Sequence, residues 1–293
     1  MEATERVQAH AVASISLVVR KGFFVRKTMS ADTESSNKKD RATVEHARSD
    51  YEREGFLAPM DVFPAAEMNE YREQCNELVA QVGHEASRDG LNARHFDVEF
   101  IWELATDSRV LDWVEAVMGP DIVILDSLFF CQYPSSEVEH YVAWHQDVTY
   151  WGLEPAEALS AWIAIDDADA ENGCMEVIPG SHQVGMVPHV TAATPGNILS
   201  VGQEIPDEYV DRSSAFLVEL DAGQMSFHHG KLFHSSPPTR SDRRSCGLVI
   251  RYISPHVKQV EPHSLEGFYR TVLVRGDDTN GLHSVHHPPF LLT

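Results

Sequence analysis

From Ala42 to about residue 118 the apolar positions recur at helical steps. After Pro64 come Met68, Tyr71, Cys75, Leu78, Val79 and Val82, a three- and four-residue spacing that lines one face of an α-helix. Pro64 suits the first turn, where a missing N–H costs nothing. Val110, Leu111, Val114 and Val117 make a shorter stripe, stopped by Gly119-Pro120. Both stripes read as faces packed on a sheet. Beyond Pro120 the period changes to short β-rich runs over 122–133, 141–151, 159–165, 174–178, 216–220, 224–228 and 246–253, separated by turn signals such as Asn172-Gly173, Pro179-Gly180 and Ala222-Gly223. Strands without intervening helices close into a sandwich or barrel. The pattern therefore predicts a mainly β fold, a jelly roll with flanking helices as an α-helical layer. No internal repeat is evident.

Residues 1–41 differ from the rest. The stretch 14–26 is short, apolar and basic, and 30–40 is polar with the composition of disordered chain. We read 1–41 as a disordered extension and 42–293 as a single domain. A transit peptide is the alternative, because Arg6, Arg20, Lys21, Arg26 and Lys27 outnumber the acids there, with Glu2 and Glu5 counting against it.

Of the 293 residues 43% are hydrophobic and 23% charged, which suits one well-buried domain. The 45 acidic against 23 basic residues give a net charge of -22, which argues against nucleic-acid and anionic-membrane partners. No apolar run approaches the roughly twenty residues of a membrane span. Cys75, Cys131, Cys174 and Cys246 are widely spaced and form no CxxC pair. They read as buried thiols in a reducing compartment, so the expected location is cytoplasmic, or mitochondrial or another organelle if 1–41 acts as a transit peptide. Monomer and homodimer both stay open.

Candidate chemistry lies in Trp144-His145-Gln146-Asp147 and Phe233-His234-Ser235. Two imidazoles and a carboxylate can occupy one face of an iron octahedron and leave the other open. Alternate residues of a strand point the same way, so His145 and Asp147 can chelate together while Gln146 turns to the other face. His-x-Asp alone is a weak motif. Its weight comes from the tracts that follow it: Ala161-Trp162-Ile163-Ala164-Ile165, Glu171-Asn172-Gly173-Cys174-Met175 and Pro179-Gly180-Ser181-His182.

In this order, over residues 55–255, these motifs resemble the phytanoyl-CoA dioxygenase family. The resemblance implies a double-stranded β-helix (jelly roll, cupin-like) that uses Fe(II), 2-oxoglutarate and dioxygen to oxidise a C–H bond of a small molecule, releasing succinate and carbon dioxide. It implies His145, Asp147 and His234 as iron ligands, with His228 and His229 as rivals for the third. It also sets an arginine on the strand after the distal histidine to pair with the far carboxylate of 2-oxoglutarate, a task that suits the planar guanidinium fork. Arg243 and Arg244 stand in that neighbourhood, while position 245 is a serine. Arg244 is favoured, with Arg243 and Arg251 as alternatives. Gln132, Trp162 and Ser236 are implied to help seat the keto acid, although Gln132 equally suits a buried amide and Trp162 a core aromatic. An intact Asp147 favours hydroxylation or similar oxidation over halogenation, for which related enzymes carry a small residue there.

Tyr150 and Trp151 are expected either to line the mouth of the site, where an aromatic wall suits an apolar or cationic substrate, or to fill the sheet as core aromatics. His182 either shapes the pocket turn or reaches the substrate. His283, His286 and His287, in a Pro-containing tail, read as exposed. Residues 187–209 are a candidate lid. Two other readings remain, a cupin-like metalloenzyme that does not use 2-oxoglutarate and a non-catalytic metal- or ligand-binding relative.

Overall fold

A computed structural model of the chain describes residues 41–134, 138–191, 195–199, 203–262 and 267–283, with side chains from His46 onward. The expected extension, residues 1–41, lies outside this range except for Arg41, the first residue of helix α1 (Arg41–Glu54). His286 and His287 also lie outside it. His283 is half-buried, with its ring beside the Thr271 hydroxyl.

The two stripes fold as anticipated. Helix α2 (Ala65–Val82) follows Pro64 and buries Met68, Cys75, Leu78 and Val79. After the short α3 (His84–Asp89) and α4 (Glu99–Thr106), helix α5 (Ser108–Met118) buries Val110, Leu111, Val114 and Val117. The Asp107 carboxylate caps α5 by accepting from the Arg109 N–H at 2.8 Å, which satisfies one of the free donors of the first turn.

Strand β1 (Phe56–Asp61) departs from the helical expectation. It pairs antiparallel with a strand formed about 165 residues later, and that edge is invisible to local periodicity. Pro59 is tolerated because β1 lies at the edge of its sheet, where the register slips between Leu57 and Met60.

Two antiparallel sheets make the body. The larger contains β1, β2 (Ile122–Gln132), β4 (Leu159–Ala164), β7 (Gln224–His229), β9 (Ser245–Ile253) and β10 (Val272–Arg275), in the order β1-β7-β4-β9-β2-β10, with the two-residue strand Leu91–Asn92 beside β2. The smaller contains β3 (Val142–His145), β5 (Glu176–Val177), β6 (Phe216–Leu217) and β8 (His234–Ser236), in the order β6-β5-β8-β3.

Both faces of the larger sheet are buried. Leu248, Ile250 and Tyr252 of β9 pack with the helices, whereas Val249 and Ile253 join Trp162, Val177 and Phe216 between the sheets. Covering both faces makes these strands read as continuous apolar runs. The expected jelly roll with a helical layer is what the chain adopts.

The cysteines differ from expectation. Cys131 and Cys246 sit directly opposite on β2 and β9 and are joined by a disulfide, with Cα atoms 4.1 Å apart; Cys75 and Cys174 are buried thiols. The pair is 115 residues apart in sequence, so only the strand register brings it together.

Candidate active site

Strand β3 ends on His145 and strand β8 begins on His234, and the register sets these two residues opposite each other with ring centroids 3.9 Å apart. The expected run 141–151 stays extended only as far as Gln146 (φ -120°, ψ 129°), and Asp147–Tyr150 then form a single 3-10 turn. The extended Gln146 is enough to preserve alternation, so Asp147 faces the same side as His145. Gln146 points away, donating to the carbonyls of Gly185 and Lys231 and accepting from the Val187 N–H.

The hydrogen bonds fix which atoms remain available. A carbonyl only accepts, so His145 Nδ1–H donates to Ala143 O (2.9 Å) and His234 Nδ1–H donates to Leu232 O (2.8 Å). Each ring therefore presents the lone pair of Nε2. Asp147 Oδ2 accepts from Ser160 Oγ (2.7 Å) and from His228 Nε2–H (3.1 Å). Its Oδ1 stands 3.8 Å from both His145 Nε2 and His234 Nε2. All three of these atoms are buried without a hydrogen-bond partner, and the three ligand atoms lie within 4.8 Å of one another. Three electron-pair donors converging in a dry site repel one another and cost free energy unless a cation joins them. Two imidazoles and one carboxylate with a further side open suit Fe(II).

The electrostatics agree. Burial pushes His145 down to about 4 and holds His234 well below the ordinary histidine range, so both rings are neutral near pH 7. Burial by itself would raise Asp147, yet the hydrogen bond from His228 and the nearby His234 and Arg251 keep its carboxyl far below the usual range.

The rivals for the third position have other contacts. His228 stands behind Asp147, and His229 Nδ1 accepts from the Lys231 N–H.

The arginines fall on different sides of β9. Arg244, favoured from the sequence, points away from the space between the sheets and pairs with Asp166 at 2.6 Å and Asn76 at 3.0 Å. This corrects the expected strand register: the side chain on the inner face at this end of β9 is Ser245, and neighbours on a strand face opposite ways. Arg243 is exposed on Asp169. Arg251 is buried and inward, opposite Ser160 on β4, with its guanidinium 2.7 Å from Asp126 and 4.7 Å from the Trp151 ring.

Gln132, Trp162 and Ser236 come together, with Ser245, around one cavity. Position 247 must be glycine there, because a Cβ would lie 2.4 Å from the Trp162 ring. Gly173, at φ +80°, makes the turn that presents its carbonyl to Ser236 Oγ.

The aromatic pair divides. Tyr150 is half-buried with its ring edge on His189 and its hydroxyl without a partner. Trp151 is 1% exposed and fills the core beneath Arg251, which is the core placement of the two expected for it. The strand-to-turn change after Gln146 separates the two, because successive residues of a turn no longer share a wall. His182 donates from Nε2 to Glu52 O and its ring lies tilted against that of His229, so its contacts hold the end of α1.

The sequence reading missed Ser160 and His189. Ser160 was legible only as a polar position alternating with Trp162 in an apolar run. His189 accepts from the Gln146 N–H and lies in the candidate lid 187–209, the described part of which bonds along β3 through Gly196, Ile198 and Ile205.

The family model "Phytanoyl-CoA dioxygenase (PhyH)" matches residues 51–246. The peroxisomal phytanoyl-CoA dioxygenase of Bos taurus is 25% identical over 251 residues, covering 77% of this chain and 74% of that protein. L-proline trans-4-hydroxylase of Streptomyces griseoviridis is 29% identical over 199 residues, covering 62% and 72%. Among solved structures, the apo form of the non-haem monooxygenase ThoJ superposes with a TM-score of 0.69 at 28% identity, covering 83% of this chain and 88% of that one. Motif order, fold and donor set converge on one conclusion: the chain belongs to the phytanoyl-CoA dioxygenase family of non-haem iron, 2-oxoglutarate-dependent oxygenases.

Proposed function

We propose that His145 Nε2, Asp147 Oδ1 and His234 Nε2 hold Fe(II), and that the enzyme hydroxylates or otherwise oxidises a C–H bond of a small molecule. The observation that carries this reading is the convergence of three buried, partnerless donor atoms. Bound Fe(II), with 2-oxoglutarate and dioxygen, supplies an oxidant strong enough for an unactivated C–H bond and leaves succinate and carbon dioxide as coproducts.

The chain's own residues orient and protect. The carbonyls of Ala143 and Leu232 hold both imidazoles in one tautomer. Ser160 and His228 fix the Asp147 carboxylate, so that a single oxygen faces the metal position. Gln132, Trp162 and Ser236 line the cavity proposed for the cosubstrate, next to the triad along β8 and β4. Tyr150, Thr149 and His189 border the substrate side. The buried hydroxyls of Tyr150 and Thr149 lack partners, which suits recognition of a polar group on the substrate. The net charge of -22 disfavours nucleic acid as that substrate, and no helix among the described residues is long and apolar enough to cross a membrane.

The test is anaerobic Fe(II) titration of the protein, followed by an assay of succinate release against a panel of metabolites. The reading requires one Fe(II) per chain and succinate formation that depends on both Fe(II) and 2-oxoglutarate. Tight Zn(II) binding with hydrolysis or isomerisation of a metabolite, and no consumption of 2-oxoglutarate, would favour the cupin-like alternative.

A further inference from the structure

The cavity beside the triad is reached along two strands. On β8, Ser236 lies two residues beyond His234. On β4, Trp162 lies two residues beyond Ser160, the hydrogen-bond partner of Asp147. Alternation carries the same face from the metal position into the cavity. A 2-oxo acid chelated at the metal would extend its far end toward Gln132, Trp162, Ser236 and Ser245.

That far end offers few donors. The Gln132 amide nitrogen already donates to the carbonyls of His140 and Pro237, both at 3.1 Å. The Ser236 hydroxyl donates to Gly173 O at 2.6 Å. The Trp162 indole N–H and the Ser245 hydroxyl are the remaining donors of the lining. Cys174 and Met175 make the neighbouring wall apolar.

Among the described residues, no cation lines the cavity. Arg244 is one residue from Ser245 but on the opposite face, paired with Asp166. Arg251 shares the inner face but lies six residues along β9, tied to Asp126. The Trp162 ring covers Gly247, between Ser245 and Arg251 along the strand.

We infer that Ser245 makes the far end of the cosubstrate seat electrically neutral, so that the enzyme discriminates only weakly between 2-oxoglutarate and 2-oxo acids with an uncharged tail. This rests on the metal and cosubstrate assignment proposed above. A buried guanidinium–carboxylate pair is bidentate and charge-assisted, and two neutral donors do not reproduce it. A carboxylate entering such a cavity loses hydration without gaining a counter-ion, whereas a methyl end meets Cys174 and Met175 favourably.

The experiment has two arms, both under nitrogen. The first titrates Fe(II) into the wild-type protein and into Asp147→Ala. Absence of Fe(II) binding to the wild type defeats the functional reading itself. The second measures, by calorimetry on Fe(II)-loaded protein, the affinities of 2-oxoglutarate and of 2-oxopentanoate, which has the same chain length with a methyl in place of the far carboxylate. Affinities within about tenfold of each other, with little change on adding salt, are the expected result. Ser245→Arg should then tighten 2-oxoglutarate by about tenfold or more while leaving 2-oxopentanoate unimproved. A wild-type preference for 2-oxoglutarate beyond about tenfold, or no binding of either acid to Fe(II)-loaded protein, overturns the inference while the metal assignment stands. The wild-type ratio decides the matter alone should Ser245→Arg fail to fold.

Discussion

The two faces of the larger sheet are equally dry and serve different ends. On the outer face, Phe129, Phe227, Leu248 and Ile250 meet the helices, and the Tyr252 hydroxyl finds the Ala105 carbonyl at 2.7 Å. On the inner face the same strands carry Ser160, His228 and the Arg251–Asp126 pair, and beside them stand three donor atoms with no partner. An unsatisfied buried polar group costs about 1–3 kcal/mol. Folding alone gives no reason to gather three of them, whereas a metal does. The outer face thus stabilises the structure, while the inner face uses that rigidity to hold groups that would otherwise turn toward water.

Substitutions on either face test this division. The largest effect is expected from His145→Ala, Asp147→Ala or His234→Ala. Each should abolish Fe(II) binding and turnover while far-UV circular dichroism and the urea midpoint stay near wild type. If His228→Ala removed the metal and His234→Ala spared it, the ligand assignment would be wrong. Leu248→Ala should do the reverse, lowering stability by about 2–5 kcal/mol in urea unfolding through a cavity beneath the helices. The folded fraction should still bind Fe(II) at close to wild-type affinity. A Leu248 variant that loses metal while staying folded would show that the two faces are coupled.

Smaller effects sharpen the boundary. His228→Ala takes one of two hydrogen bonds from Asp147 Oδ2 without removing a ligand, so metal affinity should fall by about 10- to 100-fold rather than vanish. Competition with a chelator of known affinity measures this. Arg244→Ala should be the mildest, costing about 1 kcal/mol through its part-buried pairing with Asp166 and leaving 2-oxoglutarate affinity unchanged. A large rise in the 2-oxoglutarate requirement of that variant would put Arg244, not Ser245, at the cosubstrate cavity.

Much of the site was legible because its signals are local. His145 and Asp147 are two residues apart, and alternation predicts their common face whether or not the strand continues beyond Gln146. The outer stripes at Met68–Val82 and Val110–Val117 were legible for the same reason, since a 3.6-residue period is written within a few turns. Arg244 and Ser245 were not separable, because a one-residue change of register exchanges the faces of both, and that register is set by β9 pairing with β2 and β4.

The amino-acid sequence by itself determined the helical layer, most of the strands and the common face of His145 and Asp147, all of which follow from spacings of a few residues. Only the tertiary structure decided that Phe56–Asp61 is a strand, that Cys131 meets Cys246, that Trp151 belongs to the core and that Ser245 faces the cavity. The strand, the disulfide and the face of Ser245 depend on which distant strand lies alongside, and pairing across more than a hundred residues leaves no period in the chain, while Trp151 is turned inward where the strand gives way to a turn after Gln146.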